Sequence, residues 1–352
     1  MIRNLLFLLP PEKAHNLALF FIRLLGFLHR IGLWERGPWA THLRLCRETP
    51  FGKVSSPLGL AAGMDKNAVA LWGWQGLGFG FVEVGTATPI PQEGNAQPRL
   101  FRYTRFGAIV NRMGFNNDGA ATIADRVRLA KRQGLSIKVG ANIGKNKNTP
   151  LHLAAQDYAR AAREFKNTAD FLVVNVSSPN TPALRDLQNA AQLDEIISKV
   201  REVDPQIPLF IKVAPDNFQD FVQGITAIAR KYSVAGIICG NTLANHASCK
   251  GLSDQEIARL PQGGLSGRPL FEINVHLCEA YAVSNPDLFV VGTGGIENLT
   301  TAVRYFQAGA KLIEVYSGLV YGGPSFVKNL LSDLIRNSEE RQSLQSVNSP
   351  SI

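Results

Sequence analysis

Short apolar and β-branched runs recur along the chain, separated by longer stretches whose apolar positions fall three and four residues apart. The runs are LGLAAG (58–63), FVEVG (81–85), IKVGANIG (137–144), FLVVNVSS (171–178), LFIKVAP (209–215), AGIICGN (235–241), LFVVGTGG (288–295) and LIEVYSG (312–318). Helical spacing marks 151–167, 190–203, 217–231 and 298–308. Strand alternating with helix predicts a parallel sheet, and nearly continuous apolar strands predict cover on both faces. Eight such strands predict an α/β fold closed into a parallel (β/α) TIM barrel. An open doubly wound sheet would carry a glycine-rich phosphate turn after its first strand, and AAGMDKN is not that fingerprint.

Two stretches depart from the barrel rhythm. Residues 86–116 are too long for an ordinary βα loop. Pro89, Pro91 and Pro98 oppose helix there, and RLFRY followed by GAIVN reads as a small β-hairpin. Ahead of the barrel, Leu17, Phe20, Phe21, Leu24, Leu25 and Leu28 repeat at helical spacing in NLALFFIRLLGFL (16–28). That run is short of the roughly 20 residues a membrane span needs, and no small-residue cleavage site follows it. An apolar helix face in a basic setting suits a membrane surface, and it equally suits docking on the chain's own domain or on a partner. The pattern divides the chain into an N-terminal helical extension (1–48), a barrel (49–337) and a polar, frayed tail (338–352).

Composition narrows the picture modestly. Of 352 residues, 45% are hydrophobic and 18% charged, which gives a large core and excludes wholesale disorder. A formal net charge of +9 favours anionic partners, small or large. No basic block interleaved with aromatics occurs, so nucleic acid is not expected. The four cysteines, Cys46, Cys239, Cys249 and Cys278, lack the paired spacing of a zinc site and point to a reducing compartment, and no metal site is expected.

Candidate chemistry gathers where the strands end. Those ends carry Lys66, Thr86, Asn142, Asn175 with Ser178, Lys212, Asn241 with Thr242, Gly294 with Gly295, and Tyr316 with Ser317. In a parallel barrel the C-terminal strand ends build the active site. Lys212 lies inside an apolar strand, where a lysine needs an anion or a lowered pKa. It is either a Schiff-base lysine or the partner of an anionic cofactor. VVGTGGI and VYSG, on strands seven and eight, suit a phosphate group. His246 reads as a loop histidine.

LGLAAGMDKN, EVGTATPIPQEGNAQPRLFR, NRMGFNN, NIGKNKNTP, NVSSPNTPALRDLQ, IKVAPD, GGLSGRPL and VYSG occur in an order that resembles the class 2, quinone-dependent dihydroorotate dehydrogenases. The resemblance spans about residues 10–335. It implies an FMN barrel that oxidises dihydroorotate to orotate, the fourth step of pyrimidine biosynthesis, with a membrane quinone as acceptor. Ser178 matches the base; class 1 enzymes carry cysteine there. Lys66, Asn111, Asn175, Asn180, Asn241 and Thr242 match substrate positions, with the closing segment Asn111, Arg112, Met113, Gly114 and Phe115. Ala62, Gly63, Met64, Asp65, Lys66, Thr86, Asn142, Asn175, Lys212, Gly240, Gly267, Gly295, Tyr316 and Ser317 match flavin positions. Pairing of Lys212 with the reduced flavin displaces the Schiff-base reading. Residues 3–30 match a helix pair that admits quinone from the lipid, implying a peripheral protein on an anionic membrane surface, the cytoplasmic face of a bacterial inner membrane. Gly240 departs from the pattern. Threonine usually stands there, and its loss removes a hydroxyl from the flavin phosphate unless a backbone N–H or water replaces it.

Overall fold

A computed structural model describes residues 2–177, 187, 189–249 and 252–347. Eight parallel strands close a barrel: β1 (Leu58–Leu60), β2 (Phe81–Ala87), β5 (Lys138–Ile143), β6 (Phe171–Asn175), β7 (Leu209–Val213), β8 (Gly236–Cys239), β10 (Phe289–Thr293) and β11 (Leu312–Val315), with β11 pairing back onto β1. This is the predicted TIM barrel, strand for strand. Residues of the two strand faces enter two different cores, as the period of two requires. Outward-facing Leu60, Val82, Val139, Leu172, Ile211, Ile237 and Ile313 pack with the surrounding helices. Inward-facing Phe81, Phe171, Val173, Phe210, Ile238, Val291 and Leu312 fill the barrel with one another and with Phe51 and Val54.

The barrel interior is stratified. Phe51 comes from the segment before β1 and stacks on Phe171 with ring centroids 4.3 Å apart, closing the N-terminal end. Two residues further along each inward face, the lining turns polar: Glu83, Asn142, Asn175, Lys212, Thr293 and Glu314. The register that sets Asn175 opposite Lys212 and Thr293 opposite Glu314 brings these groups to one level.

The expected hairpin is present as β3 (Leu100–Tyr103) against β4 (Ala108–Asn111). A third strand, β9 (Gly264–Gly267), pairs antiparallel with β4 and was not legible, because GLSG reads as a turn and its partner lies far away in sequence.

The N-terminal region forms α1 (Ile2–Phe7) and α2 (Pro11–Arg30). One side of α2 docks on α3 (Leu71–Leu77) through a glycine crossing. A Cβ at Gly26 would stand 2.4 Å from the Gly73 nitrogen, and one at Gly73 2.1 Å from the Ile22 carbonyl oxygen. The other side leaves Leu17, Phe20, Phe21, Leu24, Phe27 and Ile31 exposed. The helix therefore docks on its own domain by one face and leaves an apolar face uncovered among the described residues. The last helix, Phe326–Val347, runs past residue 337, where the polar tail was expected to begin.

Candidate active site

The C-terminal strand ends surround a cleft of about 1070 Å³, its open mouth included. Of the residues singled out in the sequence, Ala62, Gly63, Lys66, Thr86, Asn111, Met113, Gly114, Phe115, Asn175, Lys212, Gly240, Asn241, Thr242, Gly267, Gly295, Tyr316 and Ser317 line it. Ser178 and Asn180 lie outside the described residues.

Four predicted residues do not line the cleft. Asp65 turns inward and ties down the turn ahead of α3, accepting from Val69 N (2.8 Å), Ala70 N (2.9 Å) and Trp74 Nε1 (3.0 Å). Met64 packs in the outer core. Arg112 folds back to donate to the Pro98 carbonyl at 3.0 Å and lies over the Phe101 ring. Asn142 is covered by its neighbours, donating to Glu83 Oε1 at 2.6 Å and accepting from Asn175 Nδ2 at 3.0 Å.

Amides link the strand ends into one network. Asn175 Nδ2 also donates to Thr86 Oγ1 at 2.9 Å, and its backbone carbonyl accepts from Tyr158 at 2.7 Å. Asn241 Nδ2 donates to Ser177 Oγ at 2.7 Å, and the Ser177 hydroxyl is 3.2 Å from Asn175 Oδ1. The last described residue before Ser178 is thus held between β6 and β8.

The sequence reading missed two carboxylates. Lys212 Nζ donates to Glu83 Oε2 and, at 3.3 Å, to Glu314 Oε2, and both glutamates are fully buried. Each is the sole charged residue in its run, FVEVG or LIEVYSG, and that was the available signal. Glu83 is well supplied with donors: besides Lys212 and Asn142 it accepts from Ala62 N at 3.0 Å. Desolvation opposes the Lys212 ammonium, but the two carboxylates outweigh it and raise its pKa. Burial and the neighbouring Glu83 raise Glu314 well above the carboxylate range.

Lys66 stands at the other side of the cleft, donating to Asn116 Oδ1. Burial and the nearby Arg99 push its pKa down to about 7, with Glu12 opposing. Glu12 belongs to α2 and forms an ion pair with Arg99 at 2.7 Å. His15, also on α2, is held neutral at about 4 by burial and by Lys66. The N-terminal extension therefore places a carboxylate close behind the cleft wall, which its apolar pattern did not reveal.

The third region of the lining is built of glycine. Gly240, Gly294 and Gly295 have φ of +122°, +110° and +69°, where side chains are strained. A Cβ at Gly240 would meet the Thr293 carbonyl oxygen at 2.3 Å, and one at Gly294 the Asn274 Nδ2 at 2.3 Å. Tyr305 fixes this turn by donating to the Gly294 carbonyl at 2.6 Å. Asn274 is buried behind it, and among the described residues neither polar atom of its carboxamide has a partner. A bare backbone lining beside unused polar atoms suits a phosphate-bearing ligand.

The family described as Dihydroorotate dehydrogenase matches residues 44–337. A relative from Thermus thermophilus, named dihydroorotate dehydrogenase (quinone), is 44% identical over 344 residues, covering 95% of each chain. One of the same name from Mycobacterium tuberculosis is 40% identical over 338 residues, covering 96% of this chain and 93% of the relative. The crystal structure of an Eimeria tenella DHODH in complex with ferulenol superposes with a TM-score of 0.84 at 31% identity, over 94% of this chain and 92% of that one. With a family match over most of the chain, full-length similarity to named relatives and a shared fold, this chain belongs to the dihydroorotate dehydrogenase family of oxidoreductases.

Proposed function

We propose that this chain oxidises dihydroorotate to orotate, with FMN as its resident cofactor and a membrane quinone as electron acceptor, in pyrimidine biosynthesis. The observation that carries the reading is one cleft with two chemistries. Lys66, Asn111, Asn175, Asn241 and Thr242 suit a small ring bearing a carboxylate and carbonyls. The glycine-lined region and the Lys212 ammonium suit a phosphorylated, electron-accepting ring.

The residues fit FMN. Gly294, Gly295 and Ser317 would hold the phosphate by backbone and hydroxyl contacts. Asn274, lying against Gly240, offers a polar group where the usual threonine hydroxyl is missing. Bound FMN would supply a two-electron acceptor for hydride from the carbon that bears the substrate carboxylate. Lys66 pairs with that carboxylate, and the amides of Asn111, Asn175, Asn180 and Asn241 hold the ring edge in place. Ser178 takes a proton from the adjacent carbon. A serine is a weak base alone, so the ordered amides before it and the excluded water matter.

The exposed apolar face of α2, with Leu5, Leu8 and Leu9 near it, supports peripheral attachment to a lipid surface and entry of quinone along the helices. Among the described residues no helix is long and apolar enough to cross a membrane. The cytoplasmic face of a bacterial inner membrane is the proposed location.

The test is an anaerobic visible spectrum of the purified protein. A flavin spectrum that bleaches with dihydroorotate and returns with a quinone is expected. A flavin that stays oxidised would move the substrate elsewhere, and failure to bind added FMN would overturn the cofactor assignment.

A further inference from the structure

The buried cluster beneath the cleft holds one cation and two carboxyl groups, and their surroundings differ sharply. Glu83 accepts from Lys212, from Asn142 Nδ2 at 2.6 Å and from Ala62 N at 3.0 Å, a set of donors that matches an anion. Glu314 has the longer contact to Lys212, 3.3 Å, and is near enough to Glu83 for a second negative charge there to be opposed. Its Oε1 faces no partner among the described residues, although Glu314 lines the cleft. Were both carboxyls ionised, the cluster would carry a net negative charge under a cleft that receives phosphate, carboxylate and incoming electrons. An unpaired buried carboxylate costs several kcal/mol, roughly, before any ligand arrives.

We propose that Glu314 is a neutral carboxylic acid in the working protein and a positioning residue for the cofactor, holding Lys212 in line while adding no charge. Glu83 is then the counter-ion that keeps Lys212 cationic. This inference deepens the proposed function and rests on it for the identity of the cofactor.

Infrared spectra of the ligand-free and FMN-loaded protein supply the first readout. A protonated-carboxyl C=O band that shifts in D2O is expected in the native chain and is expected to vanish in Glu314→Gln. Flavin affinity, read by quenching of free FMN fluorescence, supplies the second. Glu314→Ala should weaken binding about tenfold or more, and Glu314→Gln, which copies the neutral form, should restore it to within about threefold. Glu83→Gln should weaken binding and also lose the band, because Glu314 would ionise to pair with Lys212. Stability against denaturant supplies the third. The groups facing Glu314 are Glu83 from β2 and Lys212 from β7. A carboxyl whose pKa is raised on folding gives stability that is present at low pH and lost as pH rises through the raised value. Native protein should show that loss and Glu314→Gln should not.

A native protein without the band, or a Glu314→Gln variant that binds flavin as poorly as Glu314→Ala, would overturn the assignment. Because the band is read without ligand, a protein that shows it but binds no flavin would refute the proposed function and leave neutral Glu314 standing.

Discussion

Lys66 is a half-buried ammonium in a crowded basic neighbourhood, and that gives the cleft a pH limit. With its pKa pushed down to about 7, the free protein loses the Lys66 ammonium charge, proposed above to pair with the substrate carboxylate, as pH rises through that value. kcat/KM for dihydroorotate, which reports the free enzyme, should therefore fall above about pH 7, while kcat holds, since a bound carboxylate draws the pKa back up. Lys66→Ala should flatten that limb. Ser178→Ala is expected to keep bound flavin and lose most of its reduction by dihydroorotate, and an unchanged rate in stopped flow would refute the base assignment. Lys212 was legible because a lysine on a strand covered on both faces has no route to solvent. Its two glutamate partners were not, since only strand register tells which residues meet inside a barrel. Asp65 and Arg112 were misplaced for a related reason: contiguity with a motif does not tell which way a side chain turns.

At the scale of elements, the barrel could be read directly because each βα unit is local and every strand is a continuous apolar run. What escaped were contacts between distant segments. β9 joins β4 across more than 150 residues, as the pairing of Ala108 with Gly267 records. The α2–α3 crossing likewise depends on two glycines, Gly26 and Gly73, that carry no signal alone. Gly73→Ala would push a methyl against the Ile22 carbonyl oxygen and force the helices apart, at a cost of about 1–3 kcal/mol. Reduction of the flavin by dihydroorotate should survive that change, while turnover with a long-chain quinone should drop. Steady-state and half-reaction rates measured on one preparation separate the two.

For the molecule as a whole, apolar and chemical surfaces are well separated. Leu5, Leu8, Leu17, Phe20, Phe21, Leu24 and Phe27 face outward at the N-terminal end, and seven basic residues within 1–48 against three acidic ones give this region positive charge. Removing residues 1–30 is expected to abolish both flotation with anionic vesicles and quinone turnover, with flavin reduction retained. A truncated protein that turns over long-chain quinone at full rate would remove the N-terminal helices from electron transfer.

The small sheet built on β4 ties these surfaces together. Its β3 strand carries Arg102, which donates to the Leu6 and Leu9 carbonyls, and Arg99, which grips Glu12, stands just before that strand. β4 ends at Asn111, and the chain then runs directly into Met113, Gly114 and Phe115 on the cleft. The exposed N-terminal helices and the Met113–Phe115 wall of the cleft are thus joined through one small sheet. The outer face of the chain and the wall of its cleft therefore share one short scaffold of backbone.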